Sequence, residues 1–265
     1  MKKAIYKFIV LIIISNLSAF TLSEINVQAK EKYKLDSTSE ESLEHIVEPL
    51  TEEEQKRLQE KISIAEQYVK NKKNKKRVKR SYNQQRTLNY NSSKFQVQNL
   101  PFWCGPGAAY NAIVSKKQYG NPNQQTLAWN LKTTQGTSLG TRWIETMNKY
   151  LPGNNYQISR GEDFSDWFSK FKNSIIYTID KGYPIIIDTY QPVGQARNQY
   201  ISDIYRNIIN NRNNRMYHYA AIIGYDDTPG NDRVLIVDSY KNVPRVYWTY
   251  TKWVANTTKG MGIVW

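Results

Sequence analysis

A single cysteine, Cys104, is the feature that most constrains how this 265-residue chain can fold. One thiol cannot form an intrachain disulfide, and it excludes zinc and iron–sulfur sites that need several cysteines. The fold must therefore be stabilised by packing, for which 40% hydrophobic and 13% aromatic residues are sufficient. There are only two histidines, His45 and His218, so a Cys–His catalytic pair can arise in two combinations. With so few soft ligands, we predict neither a metal site nor a cofactor.

The N-terminus has the pattern of an export signal. Three lysines within the first seven residues precede seven consecutive apolar residues, 8–14, and residues 27–29 (VQA) offer a small-residue cleavage site. Seven apolar residues are far fewer than the ~20 that span a bilayer, which argues against a membrane anchor. We therefore predict a signal peptide over residues 1–29 and a secreted, extracellular protein without a membrane span in its mature form.

Residues 30–80 differ in composition from residues 81–265 and are predicted to be a pro-segment. They contain no Trp, Gly or Phe, whereas all seven Trp lie after position 80. A capping box that begins at Thr51 precedes apolar residues at helical spacing, which predicts an amphipathic helix from about Glu52 to Lys70. We interpret the basic run over 70–80 (KNKKNKKRVKR) as an extended junction for proteolytic processing. A solvated linker, a polyanion-binding tail or a helical stalk would have the same composition.

The remaining residues, 81–265, have the size of a single domain and carry +9 of the net charge of +14. Their basic residues are scattered, which suits an anionic surface such as a cell wall, and no nucleic-acid-binding motif is present. We expect a monomer whose partner is a protein or peptide substrate, with no nucleic-acid partner. Several large apolar residues are predicted to be helical and in the core: Trp129, Leu131, Trp143, Ile144, Met147 and Tyr150.

Cys104 is predicted to lie at the start of a helix. Pro101 ends the preceding segment, Pro106 suits a first helical turn, and small residues follow. Free N–H groups and the dipole at a helix N-terminus stabilise a thiolate, so Cys104 is predicted to be a nucleophile and not a buried structural cysteine. Its backbone N–H and the side-chain amide of Gln98 or Gln96 are candidate donors to an oxyanion.

A thiol nucleophile needs a base, and His218 is the one histidine within 81–265. His45 lies in the predicted pro-segment and would be lost on processing, so we do not expect it to be catalytic. A strand that ends in Asp238 follows the strand of His218, and pairing the two as a hairpin would bring the acid to the imidazole. Asp188 is a second choice for this role, but it is more simply interpreted as a solvated acid at the end of a strand.

These residues, in this order, resemble a known peptidase family. The motif CGP at Cys104, six residues after Gln98, is followed by HYAAIIGYD at His218 and by VD at Asp238. This layout resembles the bacteriocin-leader-processing cysteine peptidases and their stand-alone relatives in the papain-like clan, over roughly residues 88 to 265. The resemblance implies an α+β fold in which a helix carrying the cysteine packs on an antiparallel sheet carrying the histidine and the aspartate.

The resemblance also implies roles: Cys104 as nucleophile, His218 as general base and then acid, Asp238 as the group that orients His218, and Gln98 as oxyanion donor. Two positions depart from the family pattern. Relatives commonly have alanine where this chain has Gly107, and proline after the aspartate where it has a serine. Neither departure removes a catalytic group.

From these features we predict a secreted cysteine peptidase made as a zymogen. Two alternatives stay open at this point. A peptidoglycan amidase or endopeptidase would use the same Cys–His chemistry and would be drawn to an anionic cell wall. A non-catalytic exported binding domain would use the abundant Tyr and Trp as contact residues.

Overall fold

The computed structural model describes residues 44–78, 85–117 and 120–265, all within one compact unit, Glu41–Trp265. The predicted signal peptide over 1–29 lies outside these residues, as do 30–43 and the last two residues of the predicted junction, 79 and 80. The helices are α1 (Glu52–Val78), α2 (Cys104–Lys116), α3 (Gln124–Asn130), α4 (Thr141–Tyr150), α5 (Trp167–Asp180), α6 (Asp203–Arg212) and α7 (Thr251–Thr258). The strands are β1 (Gln85–Thr87), β2 (Ile158–Ser159), β3 (Ile185–Gln191), β4 (Met216–Asp226), β5 (Arg233–Val237), β6 (Val246–Tyr250) and β7 (Gly262–Val264). Short 3₁₀ turns occupy Ser92–Lys94, Gly161–Asp163 and Arg197–Gln199.

The strands in the described residues form one antiparallel sheet. Its order is β2-β7-β3-β4-β5-β6, and β1 pairs with the C-terminal end of β4. Strand β4 is buried at all of its positions, because β3 and β5 flank it and helices α2 and α5 pack against it. This explains why residues 219–223 (YAAII) are a continuous apolar run and do not alternate with polar residues.

Helix α2 runs through the core and presents its N-terminus beside the sheet. Ala108, Ala109 and Ala112 are fully buried, and these small side chains let the helix approach β4 closely. The fold is therefore the predicted α+β arrangement, with the cysteine helix packed on an antiparallel sheet that carries His218 and Asp238.

Helix α1 lies on the domain and begins as the sequence predicts. The Thr51 hydroxyl accepts a hydrogen bond from the Glu54 N–H (3.2 Å), and the Glu54 carboxylate accepts one from the Thr51 N–H (2.8 Å). This reciprocal pair is the predicted capping box. The apolar face is buried and packs against α5 through Leu58, Ile62, Ala65 and Val69.

The predicted end of this helix is wrong. Instead of ending at Lys70, the helix continues to Val78, so residues 70–78 are helical and not an extended junction. Tertiary contacts hold the added turns, since the Lys72 ammonium forms an ion pair with Asp180 and also donates to the hydroxyl of Tyr225.

A buried amine also fixes α1 to the domain. The Nζ atom of Lys61 donates to the carbonyl oxygens of Asn154 (3.0 Å), Asn155 (3.0 Å) and Trp265 (2.5 Å). It also lies 4.7 Å from the ring centroid of Trp265, a distance at which a cation–π contact is favourable. An ammonium group has three N–H donors, and the three carbonyl oxygens provide one acceptor for each of them. Lys61 therefore has its hydrogen-bonding capacity satisfied at this buried position.

One core prediction fails. Trp129 is helical, but 83% of its surface is exposed, because the short helix α3 turns this residue outwards and buries Leu127 and Ala128 instead. The other predicted core residues are buried or half-buried. Among the described residues, no helix has the length and apolar composition needed to cross a membrane.

Candidate active site

Cys104 is the first residue of α2 and lies at the centre of the candidate site. The thiol is buried, and two histidines approach it. Burial alone would raise the pKa of this thiol, but hydrogen bonds and positive charge from His218 and His45 lower it to about 6. Cys104 is therefore a thiolate near neutral pH, which is the nucleophilic form.

The first histidine comes from the sheet, as predicted from the sequence. His218 lies on β4 and Asp238 follows the last residue of β5, and antiparallel pairing of these strands brings His218 Nε2 to 2.9 Å from Asp238 Oδ1. Since Nε2 bonds the carboxylate, Nδ1 is the ring nitrogen left to face the thiol. The imidazole is thus held between Cys104 and Asp238.

The environment of Asp238 keeps it ionised. Burial alone would raise its pKa, but the charge of His218 and hydrogen bonds from His218, the Tyr240 N–H and the Tyr205 hydroxyl lower it. Burial would likewise lower the pKa of His218, yet Asp238 and the Cys104 thiolate raise it to about 9. The three residues form a thiolate–imidazolium–carboxylate row in which each charge stabilises its neighbour.

The second histidine comes from the predicted pro-segment. His45 Nε2 lies 3.8 Å from Cys104 Sγ, and His45 Nδ1 lies 2.6 Å from Asp188 Oδ1. The ring is buried and stacks on Tyr219, with centroids 4.6 Å apart. Burial alone would lower the pKa of His45, but the charge and hydrogen bond of Asp188 and contact with Cys104 raise it to about 10. Two His–Asp pairs therefore flank one thiol.

The interpretation of Asp188 as a solvated strand-end acid is wrong. Asp188 lies inside β3, which pairs with β4 on one side and β7 on the other, and its exposure is 0%. Its Oδ1 atom pairs with His45, and the carboxylate also interacts with the Tyr219 hydroxyl, whose pKa burial and Asp188 raise well above its usual value.

The backbone around His45 is bound to the domain as an added extended segment. The Glu48 N–H donates to the Leu139 carbonyl (2.8 Å), and the Leu139 N–H donates to the Ile46 carbonyl (2.7 Å). Val47 and Leu139 form a parallel β-bridge. This pairing fixes the segment in position, and the His45 side chain reaches the thiol from it.

The two candidate oxyanion donors are engaged elsewhere in this state. The Gln98 amide donates to the carbonyl oxygens of Leu100 (3.1 Å) and Pro101 (2.6 Å), and that of Gln96 donates to the Tyr110 hydroxyl (3.0 Å). The role of Gln98 as oxyanion donor stays a prediction, and it requires the amide to exchange one of these bonds for the substrate oxygen.

The two departures from the family pattern are in contact with each other. A methyl group on Gly107 would lie 2.7 Å from the Cβ and Oγ atoms of Ser239 and 3.3 Å from the Cβ atom of Gln98. The Gln98 N–H in turn donates to the Ser239 carbonyl (2.8 Å). Glycine at 107 thus provides the space that Ser239 and Gln98 occupy beside helix α2.

The role of His45 and the burial of Asp188 were not predicted from the sequence. The sequence did contain a signal for the role of His45, because it allows two Cys–His pairs. In the structure Cys104 contacts both histidines. In the described part of the chain, no group of three or more His, Cys, Asp or Glu side chains is arranged to hold a metal ion. The arrangement suits acyl transfer through a thioester, which needs a thiolate and an adjacent acid–base group.

Comparison with solved structures gives distant similarities. A protein described as a C39-like peptidase from Bacillus anthracis is 13% identical, with a TM-score of 0.40, and the alignment covers 68% of this chain and 96% of that one. UfSP from C. elegans is 12% identical (TM-score 0.38; 71% of this chain and 35% of that one). The structure concerning the mite allergens Blo t 1 and Der p 1 gives 16% identity (TM-score 0.40; 70% and 71%).

No curated protein sequence matches the chain. The profile of the Peptidase_C39 like family matches residues 82–261, which include Cys104, His218 and Asp238. This range is about two thirds of the chain and most of its folded domain, and it confirms the resemblance inferred from the motifs. The chain belongs to the Peptidase_C39 like family.

Proposed function

We propose that the protein is an exported cysteine endopeptidase made as a zymogen, with Cys104, His218 and Asp238 as its catalytic residues. Family membership supports a cysteine peptidase in general. The observation that carries the specific assignment is the row of three residues, all from the domain, in which Asp238 holds His218 against a thiol of lowered pKa.

In the proposed reaction, the Cys104 thiolate attacks the carbonyl carbon of the scissile peptide bond. The Cys104 backbone N–H and the Gln98 amide stabilise the resulting oxyanion. As the intermediate collapses, the C–N bond breaks and the His218 imidazolium gives its proton to the leaving amine, which leaves a thioester on Cys104. His218 then takes a proton from water, the hydroxide attacks the thioester, and the acid product and thiolate are released.

The zymogen proposal rests on the segment from His45 to the end of α1. His45 occupies the space beside the thiol, and the adjacent backbone pairs with Leu139, so a substrate carbonyl has no access to Cys104 while this segment is docked. Activity therefore requires displacement or cleavage of the pro-segment.

The test compares alanine variants of the two histidines with that of the cysteine in the full chain. Cys104→Ala and His218→Ala should abolish casein hydrolysis, whereas His45→Ala should retain or increase it. N-terminal sequencing and intact mass should show loss of the pro-segment in the wild-type chain and an intact Cys104→Ala chain. Casein hydrolysis by His218→Ala would contradict the assignment, and solubilised cell walls without peptide cleavage would favour the amidase.

A further inference from the structure

We propose that the position occupied by His45 is a substrate subsite of the mature enzyme, which takes a cationic side chain (Lys, Arg or His) next to the scissile bond. Asp188 is its specificity-determining residue. This inference rests on the proposed peptidase function and deepens it by naming the substrate class.

The first argument for a cationic ligand is the negative charge of Asp188, which His45 balances while the pro-segment is docked. Asp188 is fully buried, and in the described part of the chain His45 is the cation paired with it. When the pro-segment leaves, this carboxylate loses that cation and keeps the neutral hydroxyl of Tyr219 as its neighbour, a group whose pKa burial and Asp188 raise well above its usual value. A buried unpaired carboxylate is costly, so the emptied position favours a new cation over a neutral side chain.

The walls of the position favour the same class of ligand. The His45 ring stacks on Tyr219 and lies 5.6 Å from the centroid of Tyr217. Aromatic faces around a carboxylate attract ammonium and guanidinium groups, and they stabilise an imidazolium in the same way. The pocket therefore combines one negative charge with two aromatic surfaces.

The position is also adjacent to the reacting atom. One imidazole ring bridges the distance, with Nε2 at 3.8 Å from Cys104 Sγ and Nδ1 at 2.6 Å from Asp188 Oδ1. The scissile bond of a substrate must lie at the thiol. A substrate side chain that contacts Asp188 therefore belongs to a residue next to that bond. The backbone groups of Leu139, which now pair with Ile46 and Glu48, offer a substrate strand the same hydrogen bonds.

Solvent reaches this position through a surface pocket. A cavity of about 420 Å³ is lined on the domain side by Tyr190, Tyr217, Gly260 and Met261, and on the other side by residues 44–47 of the pro-segment. Removal of the pro-segment takes away that second wall and opens the path to Asp188 for a long basic side chain.

The chain itself contains a sequence of the proposed class. Residues 70–80 (KNKKNKKRVKR) hold eight basic residues at the end of the pro-segment, directly before the domain. Once unwound from α1, this run would present Lys or Arg beside nearly every peptide bond. The inferred specificity therefore makes the junction a substrate for another copy of the same enzyme.

The experiment uses the full chain with His45→Ala, in which the position is emptied. Peptide libraries that vary the residues flanking the scissile bond give the cleavage preference. Separately, Cys104 is modified with a cationic reagent, 2-aminoethyl methanethiosulfonate, and with its neutral methyl analogue. In both reactions the thiolate attacks the sulfenyl sulfur, forms a mixed disulfide and releases methanesulfinate.

We expect Lys, Arg or His next to the cleaved bond, and a cationic-to-neutral rate ratio above that of free cysteine. Adding Asp188→Asn should lower cleavage of basic substrates and the rate ratio by about tenfold or more, because a buried charge pair is lost. Asp203→Asn is the matched control, since this acid makes an exposed ion pair with Arg197 and should change neither.

Peptide cleavage and the modification rate ratio test the proposed subsite separately from the proposed peptidase function. Cys104-dependent cleavage without a basic preference, or an unchanged ratio in Asp188→Asn, overturns the subsite and leaves the peptidase standing. Absence of cleavage with an Asp188-dependent rate ratio overturns the peptidase and leaves a cation-binding position beside the thiol. If Asp188→Asn fails to fold, the rate ratio in the His45→Ala chain, compared with that of free cysteine, decides the question.

Discussion

At the scale of single residues, the site is defined by two His–Asp pairs that share one thiol. The pairs differ in origin, since His218 and Asp238 both belong to the domain, whereas His45 reaches Asp188 from the pro-segment. In the proposed processing only the first pair stays intact, and this supports the proposed acid–base role of His218. The second pair ties the state of the thiol to the presence of the pro-segment.

The first prediction concerns the thiol in the intact chain. His45→Gln removes a positive charge beside Cys104 and keeps a hydrogen-bonding side chain of similar size against Asp188. The pKa of Cys104, now lowered to about 6, should rise by about one pH unit, because one of its two cationic neighbours is lost. Thiolate absorbance near 240 nm, measured below the tyrosine range with the Cys104→Ala spectrum subtracted, checks this; an unchanged midpoint would contradict it.

The sequence allowed a site residue to be placed correctly where a local pattern, such as a helix start or a hairpin, fixes its position in the fold. Cys104 at a helix start, and Asp238 at the end of the strand that follows the strand of His218, were predicted from local pattern and hairpin topology. The burial of Asp188 did not follow, because strand periodicity cannot show that β3 is flanked on both sides. Contact between His45 and the thiol joins residues 59 positions apart, and no local pattern encodes it.

At the scale of elements, the pro-segment binds through an extended part and a helical part. The extended part, near His45, pairs with Leu139, and the helical part is anchored by Lys61 in a ring of three carbonyls. The helix and its capping box were predictable from the sequence, but the end of the helix was predicted too early. The lysine-rich last turns have no apolar face, so the hydrophobic pattern could not predict that they are helical and docked. Lys72 is instead held by an ion pair with Asp180 and a hydrogen bond to Tyr225.

The second prediction loosens the extended part alone. Gly140 has an extended backbone (φ −170°) that any residue can adopt, but a methyl group there would overlap the side chain of Glu48. Gly140→Ala should therefore weaken docking by about 1–3 kcal/mol, the usual cost of overpacking. The rate of Cys104 alkylation by iodoacetamide in the full chain should rise on the order of tenfold, as the closed state opens more often.

A double variant provides the control. Gly140→Ala combined with Glu48→Gly removes the overlapping atoms and should return the alkylation rate towards the wild-type value. If the double variant reacts as fast as Gly140→Ala, the effect arises within the domain and not from the pro-segment contact.

At the scale of the whole molecule, the docked segment and the domain belong to one compact unit, Glu41–Trp265. The raised pKa of His45 predicts that the stability of this unit depends on the ionisation of that histidine. Docking raises the pKa of His45 well above the ~6.5 of a solvated imidazole, because Asp188 stabilises the charged form. A raised pKa in the docked state means that this stabilisation is fully present below pH ~6.5 and is lost as the pH rises through the raised value. Alkaline conditions should therefore weaken the hold of the pro-segment.

The third prediction concerns this stabilisation in the Cys104→Ala chain, which lacks the proposed nucleophile and has no thiol that could titrate. The free energy of unfolding is measured in urea from pH 6 to pH 9, with and without His45→Gln. The difference between the two chains should be largest at pH 6 and should shrink by at most about 1.4 kcal/mol per pH unit above ~6.5. Taking the difference cancels groups that titrate independently of His45, such as Lys61. A difference that stays constant or grows with pH would show that the imidazolium–Asp188 pair does not hold the pro-segment in place.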